Sequence, residues 1–250
     1  MAWSMANGLR PEASILKTKE EPRMEERHGK IESPMDETSR RTLSHYEEQA
    51  DAFWEGTRDH DVTQNIEALL ACLPEEGQGQ RILDFGCGPG RDLKALSERG
   101  ALATGLDGCE AFCEMARAHS GCAVYHQDFL ALDLPAESFE GVFANASLFH
   151  VPTRHLKSVL DALFATLVPG GVLFSSNPRG NGEEGWSEDR YGVYHDLKMW
   201  SRWLSGSGFT PLRHYYRPEG RPLAEQNWLA SLWGKGDGSG ASRSESMRRA

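Results

Sequence analysis

The chain has 250 residues, 39% of them hydrophobic, and a net charge of −10, enough apolar content for the core of one domain in the upper half of the usual size range. Neither end supplies an apolar run long enough for a signal peptide or a membrane span. Five cysteines, an odd number with no C-x-x-C pair, fit reduced thiols in the cytoplasm and neither a disulfide framework nor a metal site. The acidity sits in the middle. The first 41 residues carry eight basic and eight acidic side chains, residues 234–250 carry two net positive charges, and the remainder holds −12, a balance that repels phosphates and argues against nucleic acid as a partner.

Residues 1–41 mix both signs of charge with three prolines and show no apolar periodicity, so they are expected to be a flexible extension. Tyr46, Ala50, Phe53 and Trp54 then follow at spacings of four, three and one, the apolar face of a helix. Arg81-Ile82-Leu83-Asp84-Phe85 reads as a buried strand that runs into glycines at 86, 88 and 90 and then into a helix lasting to about Glu98. Glycines there let a ligand approach the backbone closely, and the helix start presents free N–H groups to it. The spacing is not the G-x-G-x-x-G of a dinucleotide-binding turn.

Ala101–Asp107 reads as a second strand ending in a carboxylate, 23 residues past Asp84. That is near the ~20-residue offset at which Rossmann-like folds set an acid on ribose hydroxyls; the alternative is an exposed acid in an Asp-Gly turn. Cys122–Tyr125 is expected as strand three and Phe139–Ala144 as strand four. Thr153–Leu167 has helical periodicity, and the Pro169-Gly170-Gly171 turn starts a fifth strand. A long loop, 177–196, follows at the strand's end, where long loops tend to carry function. Leu197–Leu204 is expected as a helix, Phe209–Tyr216 and Gln226–Trp233 as two closing strands, and residues 234–250 as a disordered, Gly/Ser-rich tail.

The pattern Asp84-x-Gly86-x-Gly88-x-Gly90 resembles motif I of the class I S-adenosylmethionine-dependent methyltransferases, and the Leu167-x-Pro169-Gly170-Gly171 turn is similar to one common in that family. The resemblance covers about residues 42–233. It implies an α/β fold with a Rossmann-like, seven-stranded, mostly parallel sheet, helices on both faces and an antiparallel C-terminal hairpin. It also implies S-adenosyl-L-methionine as cofactor, its methionine part over the loop of Gly86, Gly88 and Gly90 with Asp84 close by. Asp107 would hold the ribose and Asp128 the adenine amino group. Phe129 would supply a backbone N–H or an apolar wall, and Asn145 would touch the donor through its backbone. Asp128 as a simple turn cap stays open. The segment from Tyr46 would close over the donor, with Trp54 and Arg58 near its methionine end.

Three side chains are candidates for catalysis. His150 lies just past the fourth strand, where an imidazole acts as a base, orients the acceptor or simply packs. Tyr191 and His195 lie in the long loop, where they bind the acceptor, accept a proton or, with Asp196, cap the next helix. That loop mixes aromatic residues with both signs of charge, which suits a small polar acceptor. Methylation of a protein, or donor binding without catalysis, are the alternative readings, and the oligomeric state is left open.

Overall fold

The computed structural model describes residues 35–237; most of the expected N-terminal extension and of the tail lies outside them. Three helices come first: α1 (Glu37–Glu48), α2 (Ala50–Thr57) and α3 (Thr63–Leu70). The α/β alternation follows, with β1 (Arg81–Phe85), α4 (Arg91–Glu98), β2 (Leu102–Asp107), α5 (Glu110–Ser120), β3 (Ala123–His126) and β4 (Phe139–Asn145). Then come α6 (Thr153–Thr166), β5 (Leu167–Pro178), β6 (Glu183–Ser187), β7 (Arg190–Tyr194), α7 (Leu197–Gly206), β8 (Thr210–Arg217) and β9 (Trp228–Gly234).

Seven strands form one sheet in the order β3-β2-β1-β4-β5-β9-β8, and β6 and β7 form a separate two-stranded sheet. β1 to β5 run parallel, while β9 is antiparallel to both β5 and β8. This is the α/β, Rossmann-like, mostly parallel sheet with the closing antiparallel pair expected above. The chain winds outward from β1 to β3 and returns to β4, so the order reverses between β1 and β4. Open α/β sheets bind ligands outside the carboxyl ends of the strands at such a point.

Alternation along the strands builds a core on each face. Leu83 and Phe85 of β1 and Val142 and Ala144 of β4 pack with α6 and α7, while Ile82 and Phe143 pack with α3 and Phe174. Asp84 sits between Leu83 and Phe85, on the Ile82 side, and is 1% exposed.

Three differences from the expected layout bear on the site. Helix α1 begins at Glu37, inside the stretch read as extension, because the Asp36 carboxylate caps its free N–H at Thr38 (2.9 Å). The Tyr46–Trp54 face is split over two helices, α1 and α2, joined at Gln49. The loop 177–196 is largely the β6–β7 hairpin, whose register pairs Gly185 with Gly192 and Trp186 with Tyr191. Its glycines and charged residues hide the period-two pattern that marks a strand.

Candidate active site

A cavity opens at the carboxyl ends of β1, β2 and β4, the place where open α/β sheets bind ligands. Its floor is the turn after β1. Gly88 lines the cavity at φ +51°, and a Cβ there would meet no atom nearer than Phe53 at 3.8 Å; it would project into the open cradle. Gly90, by contrast, is packed at φ +94° against the Ala116 backbone, so a side chain there has nowhere to go.

Asp107 ends β2 and fixes the turn from the side. One carboxylate oxygen accepts the Gly88 N–H at 2.9 Å and the other the Cys109 N–H at 3.0 Å. Burial holds this carboxyl up at about 6, against hydrogen bonds that favour its charge. Asp128 Oδ1 accepts from Ser39 Oγ (2.6 Å) and from the Leu130 N–H (3.0 Å), so it does cap its turn; Asp128 also lines the cavity. Phe129 forms an apolar wall, stacked on Phe85 at 4.3 Å. Ser147 Oγ lines the cavity and is buried with no partner among the described residues. A cradle without side chains, an orphan hydroxyl, carboxylates at two strand ends and a flat apolar wall fit an adenosyl ligand.

The roof is α1, with Phe53 of α2. Helix α1 is tied down by Ser39 on Asp128, by Asp36 to Arg154 (2.8 Å), and by the Tyr191 N–H donating to Thr42 Oγ1 (3.0 Å). Arg41 pairs with Asp189 at 2.7 Å and covers the Trp186 ring at 4.3 Å. Tyr46 packs against Phe53 and Phe112.

Beneath the roof, Tyr46 Oη lies 2.9 Å from His150 Nε2, and His150 Nδ1 lies 2.6 Å from the Tyr191 carbonyl oxygen. A carbonyl only accepts, so Nδ1 carries the hydrogen; Nε2 is then the acceptor and Tyr46 the donor. Burial holds His150 down at about 4, so the ring is neutral at pH 7. Burial also raises the Tyr46 hydroxyl, against the nearby Arg190.

A family model described as a methyltransferase domain matches residues 82–171, the stretch that supplies the turn, both acids and His150. Trans-aconitate 2-methyltransferase from Delftia acidovorans is 35% identical over 124 residues, covering 48% of this chain and 45% of that protein. Ubiquinone biosynthesis O-methyltransferase from Histophilus somni is 30% identical over 148 residues, covering 54% and 61%. Residues 82–171 are thus a methyltransferase domain, and the chain is similar to S-adenosylmethionine-dependent methyltransferases. It spans about half the length of the curated relatives it matches. In fold, the 1,6-didemethyltoxoflavin-N1-methyltransferase of Burkholderia thailandensis, solved with S-adenosylhomocysteine, matches 83% of this chain and 94% of that one (TM-score 0.64, 20% identity).

Within this methyltransferase domain, Gly86, Gly88, Asp107, Asp128, Phe129 and His150 line one cavity. Other expected site residues lie apart from it. Asp84 is sealed under the sheet, its Oδ2 unpartnered; burial and the charges of Asp92 and Asp107 raise its carboxyl well above the usual range. The Asn145 side chain accepts from Asn65 (3.0 Å) and donates to Asp92 (2.9 Å) in a buried polar chain that Tyr215 extends. Gly90 serves helix packing. The Tyr191 hydroxyl points away to Glu184 at 2.8 Å, and its carbonyl is the part that reaches His150. His195 lines a separate small cavity with Asn177, Phe149 and Trp200, while Asp196 caps α7. Arg58 pairs with Glu55 in solvent, and Trp54 packs on His119.

Ser39, Thr42, Phe112 and Ser147, which also line the cavity, were not singled out in the sequence. The only local signal is Asp36-Glu37-Thr38, an N-cap sequence that sets the register of Ser39 and Thr42.

Proposed function

We propose that the protein transfers the methyl group of S-adenosyl-L-methionine to a small polar molecule. One observation carries this: a single cavity joins the open turn at Gly88 and the strand-end acids Asp107 and Asp128 to the Tyr46–His150 pair. Fold alone would not suffice, since a [4+2]-cyclase shares it with a TM-score of 0.62 at 15% identity.

Bound in the cavity, the donor supplies a sulfonium that already activates its methyl group. The chain's task is to align an acceptor, exclude water and handle a proton. Gly86 and Gly88 would lie under the methionine part, Asp107 at the ribose, and Asp128 with Phe129 at the adenine. Tyr46 Oη gives its hydrogen to His150 and keeps its own lone pairs for an acceptor O–H or N–H. As the acceptor's proton turns acidic during transfer, Tyr46 takes it and passes its own to His150 Nε2, while the Tyr191 carbonyl holds Nδ1–H. The weak basicity of His150 suits a proton released late, not one removed beforehand. Tyr191 and His195 act indirectly, through the backbone and the packing of the hairpin.

A small acceptor is supported by the roof that α1 sets over the cavity, and the acidic body disfavours nucleic acid. All five cysteines are free, which supports a reducing, cytoplasmic setting; no helix among the described residues is long and apolar enough to cross a membrane. The test is to incubate the protein with methyl-labelled donor and a fractionated small-molecule extract. Label in a low-mass product is the expected result, and label on macromolecules alone would overturn the small-molecule reading.

A further inference from the structure

The turn after β4 carries a hydroxyl that the fold leaves unused. Ala146 is held at φ +60°, a strained value for a residue with a side chain, while its N–H donates to the Ser176 carbonyl at 2.8 Å. Ser147 follows, at the start of the short helical turn Leu148–His150, where a serine normally caps the free N–H groups; its hydroxyl makes no such bond. Ser147 is 3% exposed, its Oγ has no partner among the described residues, and it lines the cavity. The Ser147 carbonyl accepts the His150 N–H at 3.0 Å, so this hydroxyl and the imidazole belong to one turn. On its other side Ser147 packs over Gly86, where any side chain would collide with it. The hydroxyl therefore lies where the donor cradle meets the Tyr46–His150 pair.

The charge of the lining points the same way. Asp107 and Asp128 are its only acids, and no Lys or Arg lines the cavity among the described residues. Both acids face the donor in the reading above and already accept hydrogen bonds. Arg190, whose charge reaches Tyr46, is not part of the lining. What remains for an acceptor is uncharged: the hydroxyls of Tyr46 and Ser147, the neutral imidazole of His150 and apolar walls such as Phe53 and Phe112. A carboxylate or phosphate would leave water beside two acids with no cation to pair it, which is costly, and the net charge of −10 repels it before entry. A protonated amine has no lone pair to receive a methyl group, and so weakly basic an imidazole does not deprotonate it beforehand. Phenols and aromatic amines keep an uncharged O–H or N–H at pH 7 and pack against aromatic walls.

We infer that the methyl acceptor is a small neutral molecule with a phenol-type O–H or an aromatic N–H, held by hydrogen bonds to Ser147 Oγ and Tyr46 Oη. This rests on the methyl-transfer reading above and adds the acceptor class to it. Ser147 orients the molecule, and Tyr46 faces the nucleophile. As the donor's S–C bond breaks and the new O–C or N–C bond forms, the acceptor's proton leaves through Tyr46 to His150. The positive charge passes from sulfur to the imidazole, and the product leaves neutral.

The test uses the full chain saturated with S-adenosylhomocysteine and titrated with two matched pairs, 4-hydroxybenzamide beside 4-hydroxybenzoate and 2-aminobenzamide beside 2-aminobenzoate. In at least one pair the neutral member is expected to bind ten-fold or more tightly than the acid. Ser147→Ala should weaken that binding by about three- to ten-fold, the reach of one hydrogen bond, while S-adenosylhomocysteine affinity stays within two-fold. The inference is overturned if neither neutral probe is preferred to its acid, if Ser147→Ala leaves the preferred probe's affinity unchanged, or if that variant instead loses S-adenosylhomocysteine, which would give the hydroxyl to the donor. Failure of the wild-type chain to bind S-adenosylhomocysteine at all would be a separate result, against the methyl-transfer reading itself.

Discussion

The floor and the roof of the cavity are built by different physics. The floor is backbone: a glycine turn between β1 and α4, fixed by Asp107 through main-chain N–H groups, with partners 19 and 2 residues away. The roof is side chain on side chain across the whole sequence. Ser39 meets Asp128 over 89 residues, Tyr46 meets His150 over 104, and Arg41 meets Asp189 over 148. A floor of that kind admits one ligand shape and tolerates little change. A roof made of separate side-chain bonds can be altered one bond at a time, which is how one donor site can serve many acceptors.

The sharpest way to break the comparison is at Tyr46 and His150. Tyr46→Phe or His150→Gln is expected to lower kcat by about 10²- to 10⁴-fold, the usual reach of a positioned acid–base group. S-adenosylhomocysteine affinity should change less than about three-fold. Equal losses in both would move the pair from the acceptor side to the donor side.

Two glycines test the floor. Gly90→Ala is expected to cost roughly 2 to 4 kcal/mol of stability in denaturant unfolding, from the left-handed backbone together with a backbone clash. Gly88→Ala should cost only the conformational part, about 1 to 2 kcal/mol, and show its main effect as weaker S-adenosylhomocysteine binding. Reversed phenotypes would mean that the cradle faces the other way.

Acid titration separates the regions by sign. Asp107 is raised from 3.8 to about 6, so its contribution stabilises the folded chain fully below pH 3.8 and is lost as pH rises through 6. His150 is lowered from 6.5 to about 4, so its contribution is present above pH 6.5 and is lost as pH falls through 4. Each amounts to roughly 3 kcal/mol at most, and between pH 4 and 6 the two oppose one another. Thermal unfolding of the ligand-free protein at pH 7 and pH 5 should show His150→Gln losing less stability on acidification than wild type, and Asp107→Asn losing more. Parallel slopes would contradict the assigned burial of both groups.

The smallest effect is expected at the latch. Ser39→Ala removes one hydrogen bond to Asp128, worth about 0.5 to 1.5 kcal/mol, and should speed S-adenosylhomocysteine release by no more than about ten-fold. No change in release would show that α1 is held by its other contacts.

The floor was legible in the sequence because its parts are local. Strand, alternate glycines and helix occupy one stretch, and Asp107 follows at a fixed offset, so turn chemistry and periodicity are enough to find them. The resemblance also put Gly90 with the ligand, since spacing does not tell a glycine that faces a cavity from one that faces Ala116; for Asn145 it implied a backbone contact only, and the side chain is bound to Asn65 and Asp92. The roof was only half legible. Tyr46 and Phe53 show as an apolar stripe, but Ser39 and Thr42 look like any polar residues before a helix. The hairpin carries glycines and charges where a strand would alternate, so its pairing, and with it the reach of the Tyr191 carbonyl to His150, depends on tertiary contacts.

The most direct measurement is a calorimetric titration with S-adenosylhomocysteine and then NAD, repeated on Asp107→Ala. Saturable binding of the first ligand only, weakened by about 1.5 to 3 kcal/mol in the variant, is the expected result. No binding of S-adenosylhomocysteine, or equal affinity in the variant, would contradict a donor site built on this turn and this carboxylate.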